Sequence, residues 1–127
     1  MKAKVKILVV DDESETCELL KMYFERKGYV VTLAESGAEA FERIKEASPD
    51  VVLLDRRIPD IDGFEILRGI RGFNKDAQVV MVTGMEEDEQ AAAVRDELSI
   101  FRYLQKPITM DELIRAIEEA VAFRMHG

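Results

Sequence analysis

Five short apolar runs, each followed by a stretch with helical periodicity, constrain this chain more than any other feature. The runs are "KVKILVV" (4–10), "YVVTLA" (29–34), "VVLL" (51–54), "QVVMV" (78–82) and "FRYLQ" (101–105). They are short and rich in β-branched or aromatic residues, as strands are. Between them, apolar residues recur at helical spacing: Cys17, Leu20 and Phe24, with Gly28 as a natural stop; Phe64, Leu67 and Ile70; Leu113, Ile117 and Val121. Ser36 to Glu39 and Thr109 to Glu112 read as capping boxes, in which hydroxyl and carboxylate satisfy the free N–H groups reciprocally. The fourth helical stretch, 86–98, offers only Ala91, Val94 and Leu98 behind an acidic first turn, and is expected to be the least firmly seated. Strict alternation of this kind predicts an α/β, doubly wound fold: parallel strands, right-handed crossovers and helices on both faces.

The 127 residues suit one domain, with a core expected over about 5–122 and no linker, repeat or low-complexity tract to divide it. Eighteen basic against 26 acidic side chains give a formal charge of −8, which argues against a direct grip on nucleic acid or anionic lipid. No window is long and apolar enough to span a bilayer, and the initial lysines lead into a short strand rather than a signal peptide. Cys17 falls on a helical apolar stripe, where it reads as a small core residue and not a redox centre. A cytoplasmic setting is expected.

A strand buried on both faces is a continuous apolar run, so "VVLLDRRIPDIDG" (51–63) carries Asp55 to the carboxyl edge of the sheet. Alone, Asp55 could cap its loop or pair with Arg56 or Arg57. Open α/β sheets, however, bind ligands outside the carboxyl ends of their strands. The other ends present Asp11 and Asp12, then Thr83, then Lys106. Three neighbouring carboxylates repel one another unless a cation joins them, which implies a divalent metal. Magnesium takes oxygen ligands, keeps several waters and is held by one or two carboxylates plus a phosphate oxygen. One aspartate is left to act as a nucleophile toward a phosphoryl group, with Lys106 as a second cation and the Thr83 hydroxyl as a donor.

"VVDDE" (9–13), "LLDRRIPDIDG" with proline four and glycine eight residues after Asp55, "VTG" (82–84) and "YLQKP" (103–107) together resemble the response-regulator receiver domains of two-component signalling. The resemblance spans about residues 5 to 122. It implies a flavodoxin-like (βα)5 sheet of order 2-1-3-4-5. It also implies phosphorylation of Asp55 by a sensor histidine kinase or phosphotransfer protein. Magnesium would be held by Asp11, Asp12, Asp55 and the backbone carbonyl of Arg57. Thr83 and Tyr103 would act as the switch pair, and the fourth helix, fifth strand and fifth helix as the output surface, with a phosphorylation-dependent homodimer among its uses. In similar domains the Lys106-Pro107 bond is cis. The output partner is not named by the sequence, which suits either a stand-alone regulator or one part of a longer chain.

The chain departs from the family pattern in places. Ile58 replaces the usual methionine before Pro59, and Ser99-Ile100 stands where many relatives have Gly-Ala, so the turn there is expected to differ. Arg57 and Met85 occupy positions that in similar domains line the path of the hydrolytic water. His126, the penultimate residue of a helix end, is not read as a phosphodonor. The rival from another class is a magnesium-dependent phosphohydrolase of the haloacid-dehalogenase type, whose nucleophile follows the first strand in a D-x-D pattern. Here the first strand is followed by "DDE" and the candidate nucleophile follows the third. A flavodoxin-like electron carrier would need a Ser, Thr and Gly-rich phosphate loop where this chain is acidic. A receiver that works without phosphorylation would lack members of the acidic set.

Overall fold

Helix and strand alternate without exception in the computed structural model, which describes residues 4–84 and 89–126. The elements are β1 (Lys6–Val10), α1 (Ser14–Arg26), β2 (Val30–Ala34), α2 (Gly37–Ala47), β3 (Val51–Asp55), α3 (Gly63–Phe73), β4 (Gln78–Thr83), α4 (Glu89–Leu98), β5 (Arg102–Gln105) and α5 (Met110–His126). All neighbouring strands are parallel, in the order β2-β1-β3-β4-β5. Residues 86–88 of the expected fourth helix, and Met85, lie outside the described residues.

The continuous apolar runs are explained by the two-residue period of a strand. Leu8, Val10, Val52, Leu54, Val79 and Met81 point to one face and pack with α2, α3 and α4. Ile7, Val9, Val51, Leu53, Val80 and Val82 point to the other and pack with α1 and α5. Cys17, Leu20 and Phe24 are buried on α1, and Leu113, Ile117 and Val121 on α5, as the spacing predicts. Gly28 ends α1 with φ +89°, the left-handed conformation in which glycine meets no Cβ penalty.

Three local features go beyond the sequence reading. Ser36 does accept from the Glu39 N–H at 3.1 Å, but the Glu39 carboxylate reaches back to the Glu35 N–H at 2.8 Å rather than to Ser36, so the box closes one residue early. The turn at Ser99 takes the left-handed conformation that a glycine would favour, with φ +57°, so serine carries a strain there that glycine would not. Moreover, α4 is held by more than its apolar stripe. Ala91 and Val94 are its buried residues, and at its C-terminal end Arg71 of α3 donates to the carbonyls of Leu98 at 2.8 Å and Ser99 at 3.0 Å, and also to that of Ala77 at 2.7 Å.

Candidate functional site

At the carboxyl edge of the sheet, β3 ends on Asp55, paired in register with Val82 of β4 and only 3% exposed. Its Oδ1 accepts from the Arg57 N–H at 2.9 Å and its Oδ2 from the Lys106 ammonium at 2.9 Å. The pairing with an arginine that the sequence left open is not made: the Arg56 guanidinium lies 3.9 Å from Asp62, and Arg57 is exposed, contributing its backbone N–H. Lys106 is brought to Asp55 by following β5 directly, its own backbone N–H donating to the Thr83 carbonyl at 2.7 Å, and its bond to Pro107 is cis. Burial pulls the Lys106 ammonium toward its neutral form, but the hydrogen bond and charge of Asp55 outweigh it and the net shift is upward.

From the neighbouring strand, β1 delivers Asp11, whose N–H donates to the Ala34 carbonyl at 3.0 Å and whose Oδ1 accepts from the Glu13 N–H at 2.9 Å. Oxygens of Asp11, Asp12 and Asp55 lie within 4.8 Å of one another. Burial, partly offset by the Glu13 N–H and reinforced by the charge of Asp55, pushes the Asp11 carboxyl up to about 6. Three oxygen donors this close, one of them reluctant to ionise, form a set that a hard divalent cation fits.

The loop after β3 closes against the site because residue 63 has no side chain. A Cβ on Gly63 would stand 2.7 Å from the Arg56 Cα and 2.8 Å from the Asp55 carbonyl oxygen, both backbone atoms unable to retreat. On the α1 and α5 side of the strand ends lies a cavity of about 460 Å³ bounded by Asp11, Glu13, Asp55 and Lys106 on its polar side and by Leu53 and Leu113 on its apolar side. Asp12 and Arg57 border a second, more open cleft with Pro59.

Thr83 ends β4, fully buried and in register with Gln105. Tyr103 is half-buried, packs with the α3 and α4 side of the core and has its hydroxyl buried without a hydrogen-bond partner among the described residues, with the Arg95 guanidinium 5.3 Å from its ring. The site thus brings Asp11, Asp12, Asp55 and Lys106 together, with Thr83 at the adjoining end of β4 and Tyr103 on the α3 and α4 side. The Cys17 thiol donates to the Asp11 carbonyl at 3.4 Å, and burial pushes it up to about 12, in keeping with a packing role.

Two residues were not singled out from the sequence. Glu13 lies 3.9 Å from the Lys106 ammonium, a placement hinted at only by its position after Asp12. Arg56 is buried toward α3 and α4; the two-residue period of β3 gives that side and not the depth.

The model of the response regulator receiver domain matches residues 7–118. The chain belongs to the receiver-domain family of response regulators. The transcriptional regulatory protein ResD of Bacillus subtilis is 38% identical over 116 residues, which are 91% of this chain and 47% of ResD. A response regulator receiver domain from Clostridium thermocellum is 34% identical with a TM-score of 0.80, covering 95% of this chain and 97% of that one. A CheY-like receiver from Methanospirillum hungatei shares the fold with a TM-score of 0.86 at 24% identity, over 97% of this chain and 98% of that one. The chain spans between 27% and 47% of the length of the curated relatives it matches first.

Membership makes the chain a phosphorylation-activated signalling switch of two-component systems, a regulatory domain rather than a classical enzyme. The phosphohydrolase alternative falls with it, since the buried, lysine-paired aspartate ends the third strand and not the first. Among the described residues, no helix is long and apolar enough to cross a membrane.

Proposed function

We propose that Asp55 is the phosphoacceptor of a receiver domain formed by residues 1–127, and that it takes its phosphoryl group from a phosphohistidine of a sensor histidine kinase or phosphotransfer protein. The observation that carries this reading is the setting of the Asp55 carboxylate: buried, held at one oxygen by the Arg57 N–H and at the other by Lys106, beside Asp11 and Asp12. A carboxylate oxygen of Asp55 attacks phosphorus in line, the new O–P bond forming as the N–P bond of the donor breaks, and the imidazole leaves. Lys106 neutralises negative charge that spreads over the phosphoryl oxygens. The buried floor of Leu53 and Leu113 keeps the cleft partly dry, which strengthens that pairing.

Asp11, Asp12, Asp55 and the backbone carbonyl of Arg57 would hold magnesium, whose charge offsets that of the incoming phosphoryl group. The chemistry needs no group from the donor beyond its phosphoryl, so the transfer is catalysed by the receiver itself. Thr83 turns its hydroxyl to the phosphoryl group, Tyr103 follows inward, and α4, β5 and α5 form the surface that reads the change. The unpartnered Tyr103 hydroxyl supports this, because a buried hydroxyl without a bond favours an arrangement that gives it one.

With acetyl phosphate and magnesium, intact-mass spectrometry is expected to show one phosphoryl group on the parent and none on Asp55→Asn. Equal modification of the two would remove Asp55 from the role.

A further inference from the structure

Successive residues of a strand face opposite sides, and at the end of β3 this separates two functional groups. Asp55 follows Val51 and Leu53 toward the α1 and α5 side, whereas Arg56 follows Val52 and Leu54 toward α3 and α4. Arg56 is 6% exposed. Its guanidinium carbon lies 4.2 Å from the centre of the Phe64 ring, and its Nε is 3.9 Å from Asp62 Oδ1, an oxygen already accepting from the Phe64 N–H. Its Nη2 donates to Gln90 Oε1 on the first turn of α4 at 3.5 Å, and its Nη1 is buried with no partner among the described residues. The root of this side chain is tied to the strand end, since the Arg56 N–H donates to the Val82 carbonyl and its carbonyl accepts from the Gly63 N–H, each at 2.8 Å. A buried cation with one distant, shared carboxylate is under-compensated, so each remaining contact weighs heavily.

We propose that Arg56 is a positioning residue that ties the first turn of α4 to the strand end carrying the phosphoacceptor, a second route from Asp55 to α4 beside Thr83 and Tyr103. The proposal rests on the receiver reading of Asp55. At this end of α4, Ala91 and Val94 supply little apolar burial, so a hydrogen bond from a buried cation adds to what seats the turn. Any shift of the 55–57 backbone when Asp55 gains a phosphoryl group moves the root of Arg56, and Gln90 must follow or let go. The bond therefore favours the unphosphorylated arrangement of α4.

The test is amide hydrogen exchange over 89–98 in the full chain, with and without beryllofluoride plus magnesium, for the parent, Gln90→Ala, Arg56→Met and the double variant. Gln90 is exposed, so its truncation removes the acceptor without touching the core. Without beryllofluoride, each single variant is expected to exchange 89–98 about 3- to 10-fold faster than the parent. The change on adding beryllofluoride should shrink, and the double variant should exchange no faster than Arg56→Met alone. Unchanged exchange in Gln90→Ala, or effects that add in the double variant, would overturn the tie. Should Arg56→Met not fold, the Gln90→Ala result decides. Phosphorylation of Asp55 by acetyl phosphate and magnesium, measured by mass on separate beryllofluoride-free samples of each protein, is expected to stay complete, and its absence in the parent would instead overturn the reading of Asp55.

Discussion

Gly63 shows how much one missing methyl group contributes to the site. With the Arg56 Cα at 2.7 Å and the Asp55 carbonyl at 2.8 Å from where a Cβ would stand, Gly63→Ala must push the loop away from the strand end. Displacement of the reacting carboxylate by a fraction of an ångström slows a step that depends on orientation, so phosphorylation by acetyl phosphate is expected to slow about 10- to 100-fold. A mass-spectrometric time course reads this directly, and a parent-like rate would mean that the loop has room. Asp11 adds a dependence on pH. Its carboxyl, ordinarily near 3.8, is pushed up to about 6 in the folded chain, so the folded state binds the proton more tightly than the unfolded one does. The stabilisation this gives the metal-free protein is full below about pH 4 and is lost as pH rises through about 6. Magnesium must displace that proton, so its affinity should climb between about pH 5 and 7 and level off above, as an NMR titration would show. Affinity that is flat over this range would take Asp11 out of the metal site.

Among the elements, α4 differs most from its sequence. Its thin stripe of Ala91, Val94 and Leu98 was legible, and so was the expectation of a weakly seated helix. The arginines that brace it were not. Arg71 sits among charged positions of α3 and reads as a solvated side chain, because nothing in a linear pattern shows that the carbonyls of Ala77, Leu98 and Ser99 converge where its guanidinium ends. Burial lowers the proton affinity of this guanidinium, yet it keeps these acceptors satisfied. Arg71→Met leaves several carbonyls short of a donor and is expected to lower stability by about 2 to 3 kcal/mol in urea unfolding, without changing the slope of the transition. A loss below about 0.5 kcal/mol would mean that water replaces the clamp at no cost. Ser99 and Glu39 teach the same lesson on a smaller scale: the turn and the cap occur where the sequence puts them, but which atom closes the bond depends on backbone geometry.

For the molecule as a whole, the alternation of runs and the two-residue period account for the architecture, and the strand ends account for Asp11, Asp12, Asp55, Thr83 and Lys106 meeting at one rim. The strand order came with the family resemblance, since alternation fixes the class of sheet and not the sequence of its strands. What no pattern disclosed is the depth at which groups sit: that Arg56 is buried, that the Tyr103 hydroxyl lacks a partner and that Asp11 resists ionisation all follow from packing between distant segments. These features bear on the central claim, that a phosphoryl group at Asp55 shifts the α4 and β5 side of the molecule and leaves the opposite edge in place. The coupling asks for a differential affinity of about 1 to 3 kcal/mol between two arrangements, enough to change local opening several-fold. Hydrogen exchange with and without beryllofluoride, which stands in for the phosphoryl group, measures it most directly. Residues 84–108 are expected to change more than residues 37–47 of α2, and equal or reversed changes in the two regions would contradict the account.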